Sequence, residues 1–215
     1  MASTLIIAVV KNYRVMDIKV VLFDFDGVLS RGRFYEKELL PERADIHNWI
    51  QANIFGGKDS VKKWMRGQIN SPDINRVISD SVGIDYETLR VLFEKSVREM
   101  VIEEDVLSLA RLLKQKGKKV GIVTDNMDVF TQIVVLTHRL NEIFDVIINS
   151  ADYGIVKKEE NGKLFDIALN TLGEKIEDTL MIDDSASTIE LYKQKGGHGF
   201  VYKNLPELKS FLGVS

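Results

Sequence analysis

The sequence predicts a doubly wound α/β fold, a parallel sheet with helices on both faces, carrying a small all-helical insert after the first strand. Three observations lead there. From residue 101 onward, short apolar runs alternate with helical patterns; those runs are apolar on both faces; and residues 33–100 interrupt the alternation with helices alone. Strands that are apolar throughout belong in a sheet covered on both sides, and alternation with helices makes that sheet parallel.

The first strand is VVLF at residues 20–23, continued by the acids of DFDGVL at 24–29. After the insert, residues 101–117 place Val106, Leu109, Leu112 and Leu113 on one helical face and stop at Gly117. KVGIVT (119–124) is the second strand, followed by a helix over about 127–141 and a third strand, FDVIIN (144–149). A helix over 163–173, a strand at 179–183, a helix over 187–195 and a strand at 199–202 complete the alternation. This gives a core domain of residues 17–32 and 101–215.

Residues 33–100 read as helices near 42–53, 58–66, 73–80 and 85–99, with Trp49, Phe55 and Trp64 expected in their core rather than on a substrate shelf. An insert at this point lies over the carboxyl edge of the sheet, where ligands bind in open α/β folds, so it is expected to act as a cap. The crossings near 30–34 and 98–103 are its expected hinges. Residues 1–16 are read as an N-terminal extension that adds little to function, since a second Met, Met16, stands just before the first strand.

Composition narrows the functions. The 215 residues contain no cysteine, which removes disulfide frameworks, thiolate metal sites and cysteine nucleophiles. A formal net charge of −3 argues against a nucleic-acid partner. The apolar run at 5–10 is too short to span a membrane and lacks the basic flank of a secretory signal, so a cytoplasmic location without membrane association is expected. His47, His138 and His198 are too scattered for a metal set.

Chemistry is signalled by where the polar residues fall. Strand one ends in Asp24 and Asp26, strand two in Thr124 and Asp125, the loop after strand three carries Lys157 and Lys158, and strand four ends in Asp183 and Asp184. Buried charges need partners, so acids gathered from two strand ends require a compensating cation. An all-oxygen set without His or Cys suits magnesium.

These residues, in this order, make the chain resemble the haloacid dehalogenase-like (HAD) hydrolase superfamily over about residues 17–205. The resemblance rests on DFDGV at 24–28, IVT at 122–124, GIVK at 154–157 and MIDDS at 181–185. A looser likeness, WMRGQI at 64–69, points to the helical-cap phosphatase branch. The resemblance implies a Rossmann-like core and a magnesium-dependent phosphatase acting on a small phosphorylated metabolite, such as a sugar phosphate, through an aspartyl-phosphate intermediate. A phosphomutase of the beta-phosphoglucomutase type and a non-catalytic member of the fold are the alternatives. It implies Asp24 as nucleophile and Asp26 as acid and base, with Thr124, Asp125 and Lys157 on the phosphate. Asp24, the Asp26 carbonyl, Asp183 and Asp184 would hold the metal. Lys158 and Lys163 remain alternatives to Lys157, because the usual prolines after this lysine are missing and the loop is longer. Either Asp183 or Asp184 could be the direct ligand.

Overall fold

The computed structural model describes residues 18–32, 34–56 and 59–214; the expected N-terminal extension lies outside them. Strands β1 (Val20–Phe23), β2 (Lys119–Thr124), β3 (Val146–Asn149), β4 (Thr179–Asp183) and β5 (His198–Val201) form one parallel sheet in the order β3-β2-β1-β4-β5. Every residue of β1 and β4 is buried, as expected of strands with helices on both faces, whereas edge strand β5 is half-buried along its length.

The strand order fixes the place of the site. The chain moves outward from β1 through β2 to β3, then crosses to the other side of β1 for β4 and β5. The order therefore reverses between β1 and β4, which leaves a crevice outside their carboxyl ends. Phe23 pairs with Ile122 on one side and Ile182 on the other, and the Asp24 N–H donates to the Ile182 carbonyl at 2.8 Å. Asp24 thus stands beside Asp183 at the mouth of the crevice.

Between β1 and β2 lie α1 (Glu36–Leu39), α2 (Ala44–Ile50), a π-helical turn at Gln51–Phe55, α3 (Asp59–Met65), α4 (Ser71–Val82) and α5 (Tyr86–Arg98). The sequence shows four of these; α1 is too short to display a period. Helix α4 starts at a capping box formed by Asn70 and Asp73 and ends at Gly83, where φ is 70°. The insert packs around a ring cluster in which Phe34, Trp64 and Phe93 lie with centroids 5.4 to 6.1 Å apart. The hydrophobic cluster is continuous with the sheet face, since it also contains Val21, Phe23 and Phe25.

The two crossings are paired with each other. Ser30 forms an antiparallel bridge with Ile102, its hydroxyl donates to the Val101 carbonyl at 2.9 Å, and the Glu103 N–H donates to the Leu29 carbonyl at 2.8 Å.

The remaining helices are α6 (Glu104–Gln115), α7 (Val135–Thr137), α8 (Leu140–Ile143), α9 (Ser150–Tyr153), α10 (Lys163–Leu172), α11 (Ala186–Gln194) and α12 (Leu205–Leu212). The single helix expected over 127–141 is broken. It opens as a π-helical turn at Phe130–Val134, passes through α7, and restarts as α8 after Arg139, whose φ of 51° no α-helix contains. Among the described residues no helix is long and apolar enough to cross a membrane.

Candidate active site

Asp24 continues β1 past its last paired residue and is 6% exposed, so its carboxylate must be satisfied inside the protein. One oxygen accepts the Phe25 N–H at 2.8 Å, and the other lies 2.6 Å from Lys157 Nζ. Lys157 Nζ also lies 2.7 Å from Asp183 Oδ2, while Asp183 Oδ1 accepts the Ser185 N–H at 2.8 Å. Lys157 is 4% exposed and Asp183 fully buried. An ammonium is thus wedged between the ends of the two strands that flank the crevice.

Of the three lysines left open by the sequence, only Lys157 sits here. Lys158 is exposed and donates to Ser187 at 2.7 Å, and Lys163 is exposed at the start of α10. The loop after Lys157 forms a short 3-10 turn at Glu159–Asn161 before α10 begins. Asp125, half-buried, accepts the Lys157 N–H at 2.6 Å and so fixes the backbone that carries the ammonium.

One ammonium faces two buried carboxylates, with a third acid at the rim. Carboxylate oxygens of Asp24, Asp183 and Asp184 all lie within 4.8 Å of one another. Burial pushes the Asp24 carboxyl up to about 8, the Lys157 ammonium draws it back, and Asp183 and Asp26 add to the rise. Burial opposes the charge on Lys157 too, but Asp24, Asp183 and Asp125 outweigh it and hold the ammonium above its ordinary range. Burial likewise raises Asp125, with Lys157 countering. The surplus of negative charge calls for a proton or a cation, and a cluster of hard oxygens suits magnesium. The donor set therefore fits the ion its sequence suggests.

Asp26 lies on the same side of the crevice mouth but is exposed, and its Oδ2 accepts from Asn126 Nδ2 at 3.2 Å. The chain turns at Gly27 with φ of 78°, and a Cβ there would overlap the Asp184 carboxylate. Glycine at this position is thus required twice, by the backbone and by the acid beside it. Thr124 ends β2 fully buried, and its hydroxyl has no hydrogen-bond partner among the described residues.

Several contributors escape the sequence. Asn126, 3% exposed, orients Asp26 and is itself held by Ser150, whose Oγ accepts the Asn126 N–H at 3.0 Å. Ser150 also donates to the Met65 carbonyl at 2.6 Å, which ties the site loop to α3 of the insert. Asp128 does the same, accepting from Trp64 Nε1 at 2.8 Å, from the Ser71 N–H at 3.0 Å and from the Ser71 hydroxyl at 2.5 Å. Arg66 reaches Glu159 with its Nε 3.1 Å away. An asparagine or aspartate in a loop carries no pattern that would announce such a partner; only the two residues' nearness to Thr124 hints at it.

Above the acids lies a cavity of about 510 Å³, lined by Asp24, Asp26, Asp125 and Asp184 together with residues of the insert. Phe55 is one of them, so this ring belongs to the insert's core and to the cavity wall at once, while Trp64 is fully buried as expected.

Comparison with known proteins bears on this arrangement. Residues 18–194 match the family described as haloacid dehalogenase-like hydrolase. The chain is 27% identical over 226 residues to bifunctional epoxide hydrolase 2 of Sus scrofa, a match covering 93% of this chain and 40% of that protein. It is 25% identical over 220 residues to the pyrophosphatase PpaX of Halalkalibacterium halodurans, covering 93% of this chain and 99% of the relative. A HAD family enzyme of Bacteroides thetaiotaomicron, crystallised with magnesium and inorganic phosphate, superposes with a TM-score of 0.66 at 18% identity, covering 89% of this chain and 98% of that one. The match over residues 18–194 spans strands β1 to β4, the insert and every acid of the crevice, and the chain belongs to the haloacid dehalogenase-like hydrolase family.

Proposed function

We propose that the protein is a magnesium-dependent phosphatase that hydrolyses small phosphate monoesters through an aspartyl phosphate on Asp24. The observation that carries this reading is the Lys157 ammonium, 2.6 Å from Asp24 and 2.7 Å from Asp183 at the reversal point of the sheet, beneath a cavity. Residues 33–100 serve as a helical cap over a core of 17–32 and 101–215. The likeness to a protein named a pyrophosphatase, and to a fold that holds magnesium and phosphate, supports the same class of reaction.

In this reading the Asp24 carboxylate attacks phosphorus while the Phe25 N–H and Lys157 hold its orientation. Asp26 protonates the departing oxygen and then takes a proton from the water that opens the aspartyl phosphate, with Asn126 steering its carboxylate. Lys157 and the Thr124 hydroxyl, which has no partner among the described residues, meet the phosphoryl oxygens. Asp24, Asp183, Asp184 and the Asp26 carbonyl would hold magnesium, which supplies the positive charge that lets a carboxylate approach a phosphate.

The test is phosphate release from nitrophenyl phosphate. It should require magnesium, stop on exhaustive chelation and return when magnesium is restored; release that survives chelation would remove the metal from the reading.

The role of Asp26 has its own signature. Asp26→Asn should slow an alkyl phosphate by about 10²–10⁴-fold, while nitrophenyl phosphate, whose leaving group departs unassisted, loses far less. Equal losses on both substrates would reassign Asp26 to positioning.

A further inference from the structure

The cavity is chemically lopsided. Its acids come from the strand ends, whereas the insert and the segments beside it contribute Phe34, Phe55, Val61, Met65, Met100 and Met127. The few other polar side chains among the described lining residues each have a partner outside the cavity for one of their polar atoms. Gln51 Nε2 lies 3.4 Å from His47 Nε2, the Arg31 guanidinium lies 3.6 Å from Glu103, and the Ser30 hydroxyl donates to Val101.

Such a wall discriminates by desolvation. Each hydroxyl of a sugar moved out of water needs a new partner, and an unpaired one weakens binding. Six apolar side chains offer no such partners but gain from covering methylenes or a ring, and the three methionines and two phenylalanines can follow an irregular hydrocarbon. A second phosphate would meet Asp26, Asp125 and Asp184 as like charges, against a single cation among the described lining residues, Arg31, which already faces Glu103.

We propose that the substrate is the phosphate monoester of an apolar alcohol, alkyl or aryl, rather than of a sugar, a nucleoside or a second phosphate. This inference rests on the phosphatase reading and deepens it: the crevice takes the phosphoryl group and the apolar wall takes the alcohol. It replaces the sugar phosphate that the resemblance suggested. A cavity of about 510 Å³ is of the size that encloses a small ligand, with room beyond the phosphoryl group for a short chain or one ring.

The experiment measures phosphate release with magnesium from a series of straight-chain alkyl phosphates, ethyl to octyl, beside benzyl phosphate, glucose 6-phosphate, adenosine monophosphate, pyrophosphate and nitrophenyl phosphate. The expected result is that kcat/KM rises about threefold to fourfold per added methylene until the cavity is filled. The longer alkyl phosphates and benzyl phosphate should then exceed the sugar phosphate, the nucleotide and pyrophosphate by at least about tenfold. Straight-chain alkylphosphonates should inhibit nitrophenyl phosphate hydrolysis with the same dependence on length. A flat dependence on chain length, or preference for the sugar phosphate, nucleotide or pyrophosphate, overturns the apolar alcohol and leaves the phosphatase reading standing. Release from none of these esters, nitrophenyl phosphate included, overturns both.

Discussion

Replacing Asp24 by asparagine is expected to lower phosphate release by on the order of 10³-fold or more, because an amide cannot form the covalent intermediate. The same change should have an opposite effect on stability. In the metal-free protein, burial holds the Asp24 carboxyl near 8, above its unfolded value of about 4. A group raised on folding binds its proton more tightly when native, so its contribution is fully present below about pH 4 and is lost as pH rises toward 8. The amide of the variant has no such proton to lose. The difference in Tm between Asp24→Asn and wild type, measured in chelator, should therefore shift in favour of the variant across that window. Parallel Tm curves would show that Asp24 is not the group under strain, and undiminished turnover would show that it is not the nucleophile.

Lys157→Met should cost the most in stability. It leaves Asp24 and Asp183, both buried, facing each other with no ammonium between them. Removing one partner of a buried ionic cluster costs about 3–5 kcal/mol, because the remaining charges stay desolvated. Activity should fall by at least about 10²-fold, since the phosphoryl oxygens lose a cation. Magnesium should restore part of the lost Tm, as it brings positive charge to the same carboxylates, and should raise the Tm of the variant more than that of wild type. An unchanged Tm without metal would mean that the two carboxylates do not depend on Lys157.

How far the sequence carries can be judged from particular residues. Val20–Phe23 is legible because four apolar residues before two acids fit only a strand buried on both faces. The pairing of Asp24 with the end of β4 follows from the alternation, which brings successive strand ends to one edge. Lys157 is visible as a candidate but not as the choice, since picking among three lysines requires the path of a loop that coils into a short turn. The break in the helix over 127–141 is invisible because a π-helical turn still presents an apolar face; Phe130 and Val134 are buried within it. Asn126 and Asp128 act through hydrogen bonds to distant partners, and a contact between residues 57, 64 or 100 positions apart leaves no trace in local spacing.

The bridge between Ser30 and Ile102 has a consequence for how the chain could have acquired its insert. Residues 31–101 leave the sheet and return to it at a single point, so as seen by β1 and β2 they are one closed excursion. The entropy of closing such an excursion grows only with the logarithm of its length, about 0.6 kcal/mol for each doubling. Registry between Val20 and Lys119 is accordingly almost indifferent to whether the excursion is a short turn or a bundle of helices. Length at this position is close to a neutral variable for the sheet, which leaves the excursion free to diversify while the crevice beneath it stays fixed.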